Sequence, residues 1–421
     1  MNDVLIARAQ MGMSLAFHIL FSVVGMAMPI LMVVAEWRFW RTGDDEYLEL
    51  AKMWAKGTAV LFAIGAVSGT VLSFELGLLF PTFMKHAGAV IGLPFSLEGF
   101  AFFTEAIFLG VYLYGWDKVS RRVHLAAGVV VAFSGIASAA FVTIANAWMN
   151  APRGFRVENG KFVDIDPLAA MATPFAVHEV VHMTLAAYMT TALAAAALHA
   201  WAILKGRRRS FHAKALGIAL ALAVPSSLVQ PMVGHAAGEH VAEHQPLKLA
   251  AMEQLEHTQA WAPVSMGPIV IPGLLSILAK RNPSAVVTGL DAFPPEDRPH
   301  AIVKVAFQGM VFLGTALAGL ASWVAFLWWK KRPLADNRRL LQAVVASGPM
   351  GFVALEMGWV VTEMGRQPWV IYGVLRTKDA VTPMPGLIVP FTTFALLYLV
   401  LGLVTASVLR SLYKKTLVEV P

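Results

Sequence analysis

An all-α integral membrane protein with about nine transmembrane helices, N-terminus outside and C-terminus cytoplasmic, is the fold class this sequence predicts. Three observations predict it. The chain of 421 residues is 57% hydrophobic and only 14% charged, which is not the balance of a soluble domain. Apolar runs long enough to cross a bilayer, roughly 20 residues each, recur at about 11–35, 57–80, 94–115, 125–147, 177–204, 215–233, 301–329, 340–364 and 386–411. Lys and Arg are the third: 20 of the 33 fall in 36–56, 116–124, 205–214, 330–339 and the C-terminus. The remaining basic residues are spread over much longer segments. An excess of Lys and Arg marks the inner side, and KGRRR (205–209) and WKKR (329–332) are its densest points.

The first run starts near residue 11 with no cleavage-site pattern behind it, so it reads as a retained helix. Two connections are long enough to carry external structure, 148–176 and 234–300. No internal repeat and no low-complexity segment interrupts the pattern, so 1–421 reads as a single membrane domain with an external loop at about 234–300. The net charge of +7 is accounted for by the topology signal and a basic inner rim beside anionic lipid. It does not call for nucleic acid. The chain has no cysteine. That excludes disulfides, thiolate metal sites, iron–sulfur ligation and haem attached through C-x-x-C-H. Haem held by His, Met or carboxylate remains.

Ionisable groups at membrane depth are costly and usually face a partner or a cavity. His18, His178 and His182 lie inside spans, and Glu75, Glu98, Glu105, Glu179, Glu356 and Glu363 lie inside spans or at their ends. His18 enters from outside, so at 1.5 Å per residue it lies ~12 Å deep. His182, Met310 and Glu356 lie at similar depth on three other helices. His178 and His182, at i and i+4, share a helix face, and either could ligate while the other supports it. Met310 taken alone could simply fill a gap. Glu98 and Glu105 are two turns apart on one face, as in a pore wall or an ion pair. In EMGWVVTEMGRQPWVIYG (356–373), Gly365 and Pro368 stop the helix. Arg366 there suits bidentate contact with a carboxylate or propionate, and Trp369 suits the interface belt.

GRQPW (365–369), following EMGW (356–359), resembles the signature of subunit I of cytochrome bd-type quinol oxidases. ARAQMGMSLAFHILF (7–21) resembles the family's first helix. LPFSLEGFAFFTEAIFLGVYLYGWDK (93–118) resembles its third, ANAWMNAP (145–152) the end of its fourth, and VVHMTLAAYMTT (180–191) its fifth. KLAAMEQ (248–254) resembles the start of its quinol-binding loop, and AFQGM (306–310) the region of its methionine ligand. These segments run in family order across nearly the whole chain.

The resemblance implies a catalytic subunit of a quinol:oxygen oxidoreductase in the prokaryotic cytoplasmic membrane. Quinol is oxidised at the outer face and oxygen is reduced to water with protons from inside, without pumping. His182 and Met310 would be the iron ligands of a low-spin haem b. His18, Glu98 and Glu356 would lie at a high-spin pair, one haem b and either haem d or a further haem b, with His18 and Glu356 as candidate iron ligands. Glu105 would deliver protons, with Ser138 on the same path. Lys248 and Glu253 would contact quinol, and Arg366 and Trp369 would bind near the haems. A homologous second membrane subunit and small single-span subunits are the implied partners.

Several features depart from the family pattern. Glu98 and Glu105 stand seven apart where better-known members commonly have eight. Gln308 stands where an arginine often precedes the methionine ligand, and the external loop is short. Two rival readings follow: an electron-transfer relative without oxygen reduction, and an ion transporter, for which the broken-helix inverted repeats are not found. GHAAGEHVAEHQP (234–246) is unfamiliar. If this run is helical, His240 and His244 at i,i+4 are a two-ligand metal site lacking a defined third ligand. The preferred reading of the run is a polar face of the quinol loop.

Overall fold

The computed structural model describes residues 3–267 and 269–416. The end of the expected inner C-terminal segment, 417–421, lies outside them. Among the described residues, nine helices are long and apolar enough to cross a membrane. We number these spans α1 (Asp3–Thr42), α2 (Asp45–Leu79), α3 (Pro81–Tyr114), α4 (Arg121–Asn150), α5 (Ala176–Leu204), α6 (Arg209–His244), α7 (Ile302–Trp329), α8 (Arg338–Met364) and α9 (Ile388–Lys414). Within α8 the helical hydrogen bonding breaks at Gly348 and Pro349.

The helices outrun the apolar segments that announce them. At 40 residues, α1 is ~60 Å long, about twice a hydrocarbon core. Counting apolar residues stops where the first charges appear, whereas a helix continues until something caps it. Asp44 starts α2 by accepting from the Glu46 backbone N–H, and Ser120 starts α4 by accepting from the Val123 N–H. The largest difference is at α6. The external loop expected from residue 234 opens inside this helix, which continues through GHAAGEHVAEH to His244.

α1, α5 and α6 form the centre, with α2, α3, α4, α7, α8 and α9 around them. Lipid offers no hydrophobic reason for helices to associate, so small residues that allow close approach decide which faces meet. α5 supplies such a face: Ala187, Ala192, Ala196, Ala200 and Ala202 are buried. Glycines do the same elsewhere. A Cβ on Gly351 of α8 would stand 2.8 Å from the Thr190 Cα of α5, and one on Gly128 of α4 would stand 2.7 Å from the Val33 side chain of α1.

The N-terminus and the longer connections share one end of the bundle. Gln10 near the start of α1 donates to Glu75 near the end of α2 at 2.8 Å. The segment after α8 caps the same end, where the Tyr372 N–H donates to the Met149 carbonyl and the Thr382 N–H to the Leu79 carbonyl. Three short antiparallel hairpins lie in these connections, pairing Arg156–Glu158 with Lys161–Val163, Val264–Met266 with Ile269–Ile271, and Trp369–Ile371 with Leu375–Arg376. A helix over Pro246–Glu253 follows α6 directly. KGRRR and WKKR, the basic runs expected on the inner side, lie at the opposite end from the hairpins.

The close glycine contact makes a testable claim. Gly351→Val forces a branched side chain against the Thr190 backbone and should destabilise the protein by ~1–3 kcal/mol, the usual range for overpacking. Gly77→Ala, which meets open space, is the control. Thermal unfolding of both variants in detergent checks this, and equal midpoints would remove the close approach as a determinant of the fold.

Candidate functional site

Three groups of polar side chains interrupt the apolar bundle, each built by several helices.

The first lies among α1, α2, α3 and α4. His18 places Nδ1 3.0 Å from the Ser68 hydroxyl of α2. Ser68 Oγ also lies within hydrogen-bond distance of the Ile64 and Gly65 carbonyls; with its single proton given to one of them, it accepts from His18 Nδ1–H. That tautomer leaves Nε2 with a lone pair suited to metal ligation. Gly69 lets α2 approach the ring: its Cβ would sit 3.0 Å from His18 Cε1. Glu105 is 5% exposed and lies between two glycines. A Cβ on Gly25 of α1 would be 3.8 Å from Oε1, and one on Gly135 of α4 would be 3.3 Å from it. One turn further along α4, Ser138 donates to Glu98 Oε1 at 3.3 Å. Ser138, expected on a path with Glu105, thus contacts the other α3 carboxylate, Glu98.

The second group joins α5, α6, α7 and α8. The Gln230 amide nitrogen of α6 lies 3.2 Å and 3.3 Å from the two ring nitrogens of His182 and donates to the His182 carbonyl at 3.2 Å. A Cβ on Gly234 would stand 3.4 Å from His182 Cε1. Met310 packs on α8, where a Cβ on Gly358 would be 3.1 Å from its sulfur. Glu356 of α8 has a buried Oε1 with no hydrogen-bond partner in the structure. It lines an apolar cleft of about 320 Å³ with Leu20, Phe352 and Met357.

The third group is an outer-end network. Arg366, 1% exposed, donates from Nη2 to Glu363 at 2.7 Å, and Asn146 of α4 donates to the same carboxylate at 2.6 Å. Lys248, in the helix after α6, donates to the Asn150 side chain at 3.0 Å, and Asn150 donates to Glu179 at 3.4 Å. Burial holds the Lys248 ammonium below the usual lysine range, against the pull of Glu179. Glu253 ends the same helix. Burial raises its carboxyl to about 7, with Lys304 acting the other way, and Lys304 Nζ donates to the Glu253 carbonyl at 3.1 Å. Trp369 lies in the hairpin beyond, with the Arg376 guanidinium 4.9 Å from its ring centre. Gln308 is turned outward and donates to the Ser265 carbonyl of the loop.

Several contributors were not legible beforehand. Ser68, Gly69, Gln230, Asn146 and Asn150 are ordinary residues on apolar helices, and only their neighbours give them a role. A further cluster lies at the inner end. Glu36 of α1 pairs with His124 Nδ1 of α4 at 2.9 Å, His124 Nε2 donates to the Tyr112 carbonyl at 2.9 Å, and all three residues are at most 2% exposed. Residues 36–56 and 116–124 read as inner connections in sequence, so this pair was counted outside the spans. Tyr112 stands seven residues below Glu105, as Glu105 stands below Glu98.

The donor set fits haem. Arg366 has two further buried donors, Nε and Nη1, with no partner in the structure, and a propionate supplies the planar acceptor they lack. Imidazole, thioether and carboxylate are haem-ligand or haem-neighbour groups, and glycines clear the space against both His18 and His182.

Known proteins resemble this chain along nearly its whole length. The family profile described as Cytochrome bd terminal oxidase subunit I matches residues 6–417. A chain of Bacillus subtilis (strain 168), provisionally named as a cytochrome bd menaquinol oxidase subunit I, is 36% identical over 99% of this chain and 97% of its own length. Cytochrome bd-II ubiquinol oxidase subunit 1 of Escherichia coli (strain K12) is 26% identical over 97% of this chain and 94% of its own. The structure of bd oxidase from Geobacillus thermodenitrificans superposes with a TM-score of 0.91 and 38% identity, covering 98% of this chain and 99% of that one. The chain is a multi-pass protein of the prokaryotic cytoplasmic membrane and belongs to the cytochrome bd terminal oxidase subunit I family.

Proposed function

We propose that this chain is the catalytic subunit of an electrogenic, non-pumping quinol oxidase that takes quinol at the outer end and draws protons for oxygen reduction from the inner end. Family membership makes it a quinol oxidase subunit with haem cofactors. The finer assignments are our reading of its residues. The observation that carries it is the polar line through the apolar bundle, with Glu105 enclosed by Gly25 and Gly135 and Glu98 joined to Ser138.

His182 and Met310 are the assigned ligands of a low-spin haem b. His18 and Glu356 are the assigned iron ligands at a high-spin pair, with Glu98 beside them. Arg366 is the propionate partner, and Trp369 borders the same end. Haems so held supply electron transfer and the iron centre for oxygen chemistry, which belong to the cofactor rather than the protein. The chain's own work is placement and proton handling.

At the outer end, Glu253 accepts a proton from bound quinol. A carboxyl with a pKa near neutrality is suited to that work, because it is partly ionised at working pH and still basic enough to take a proton. Lys248 lies on the same short helix and orients the ring oxygen while tied to Asn150. On the inner path, reduction of oxygen brings negative charge into a low-dielectric interior and each electron must be matched by a proton. Carboxylates inside the membrane can relay it. Glu105 hands protons outward to Glu98, and Ser138 holds Glu98 in position through its hydrogen bond. Tyr112, two turns below Glu105, and the buried Glu36–His124 pair extend the line toward the inner face. Quinol protons leave outside and oxygen protons enter from inside, so charge is separated without a pump. The partner is a homologous second membrane subunit, with small single-span subunits as further members. The exposed aromatic face of α3, Phe100 and Phe103, suits lipid or such a partner.

Two measurements test this reading. Glu105→Gln keeps the shape and removes the titrating group, so oxygen consumption with quinol should fall ~10²-fold or more, the scale of general acid–base contributions. The reduced-minus-oxidised haem spectrum, with and without carbon monoxide, should stay as in the parent. Unchanged turnover would exclude Glu105 from proton delivery, and absence of any carbon-monoxide response in the parent would indicate electron transfer without oxygen reduction.

The second is a pH profile. Glu253 works as the ionised base, so its contribution is lost as pH falls through about 7. Quinol oxidation should rise between pH 6 and 8, as the ionised fraction goes from ~10% to ~90%. Glu253→Gln should lower the rate and flatten that limb. A variant with the same rise would place the titrating group elsewhere.

A further inference from the structure

HVAEH, residues 240–244, closes α6, and the function proposed above assigns its side chains no role. Because the run is helical, His240, Glu243 and His244 stand at i, i+3 and i+4 on one face. Each offers a ligand atom, and all three atoms lie within 4.8 Å of one another. Two histidines one turn apart on a helix face hold zinc in known motifs, and Glu243 adds a carboxylate, itself a zinc-ligand type, to the same face.

The local hydrogen bonding favours this use. His244 Nδ1 lies 3.1 Å from the His240 carbonyl and donates to it. That fixes the tautomer and leaves Nε2 as a ligand, the usual support for a metal-binding histidine. His240 Nδ1 is buried with no hydrogen-bond partner in the structure. A fourth group comes from another helix: the His178 ring of α5 lies 3.9 Å from the His240 ring, centre to centre. A cleft of about 600 Å³ opens beside His178, His240 and Glu243. Two basic side chains line the cleft, Lys280 and Arg281, and Arg281 is engaged by Glu239 at 2.7 Å and 2.8 Å. Stacked, hydrated histidines at a helix end would account for the rings alone. They would not account for the unpartnered Nδ1 or for the carboxylate on the same face.

We propose that His240, Glu243 and His244, with His178 as fourth ligand, form a site for a zinc-class divalent metal at the outer face. Two or three imidazoles and one carboxylate suit zinc and its first-row neighbours, and are too nitrogen-rich for calcium or magnesium. Ligands around tetrahedral zinc, with bonds of about 2.0–2.2 Å, stand ~3.3 Å apart. The 4.8 Å spread therefore has to contract by side-chain rotation, which Glu243 is free to make at an exposed position. A metal held this way ties the start of α5 to the end of α6, immediately before the helix that carries Lys248 and Glu253.

The test is zinc binding to the intact purified oxidase complex, stripped with chelator, titrated with zinc chloride and assayed for bound metal by elemental analysis after desalting. The haem spectrum serves as the check on folding. One zinc per chain is expected for the parent, none above background for the His240→Ala/His244→Ala double variant, and at least ~10-fold weaker binding for Glu243→Gln or His178→Ala. Cobalt in place of zinc should give the visible absorption of a four-coordinate ion in the parent and lose it in the double variant. Equal zinc in parent and double variant, or none in the parent, would overturn the site. Because the readout is metal content, it is independent of whether the oxidase assignments hold.

Discussion

The guanidinium of Arg366 is almost wholly buried where α8 leaves the bundle, and protein answers only part of it. Glu363 takes one nitrogen, Asn146 takes the other side of Glu363, and Nε and Nη1 are left facing inward. A fixed positive charge in a poorly solvated place is costly unless its donors are met. Asn146 of α4 holds Glu363 in place, and Glu179 of α5 attracts both Arg366 and Lys248, a second buried cation on the helix after α6 that repels the guanidinium and is itself answered by Asn150. A Cβ on Gly365 would come within 2.9 Å of the Lys248 side chain, so glycine there is what lets the lysine reach its place. The helix after α6 and the end of α8 thus share one electrostatic problem, two buried cations set against Glu179 and Glu363.

Deeper in the bundle the organising device is absence of side chain. His18, His182, Met310 and Glu105 each rest against a glycine of a neighbouring helix: Gly69, Gly234, Gly358, and the pair Gly25 and Gly135. Close helix approach in a membrane comes from small residues, and here the same small residues leave room for the functional groups. Packing and function therefore constrain the same positions. A larger residue at Gly135 would press on the Glu105 carboxyl before it disturbed any apolar contact.

Membrane character and approximate span positions were legible because they depend on residue averages over about 20 positions, and a bilayer imposes that average directly. The depth of His18, His182 and Glu356 was legible for a related reason, since rise per residue converts position along a helix into depth. The family resemblance put Ser138 on a path with the α3 carboxylates, and the structure gives it a hydrogen bond to one of them, Glu98. Helix ends were less legible. The GHAAGEHVAEH segment is polar, so averaging assigned it to a loop, yet α6 continues through it and places Glu243 beside the two histidines. Glu36 and His124 were passed over for the same reason, each lying just beyond an apolar run.

The sequence by itself determined that the chain folds as a bundle of membrane helices and which ionisable side chains lie along them. Those properties follow from composition and from periodicity along one helix. Only the tertiary structure decided which of these side chains meet. Arg366 with Glu363 and Asn146, Glu98 with Ser138, and His178 with His240 come from helices distant in sequence. Their contact is set by how glycine and alanine faces let those helices approach, which no single segment records.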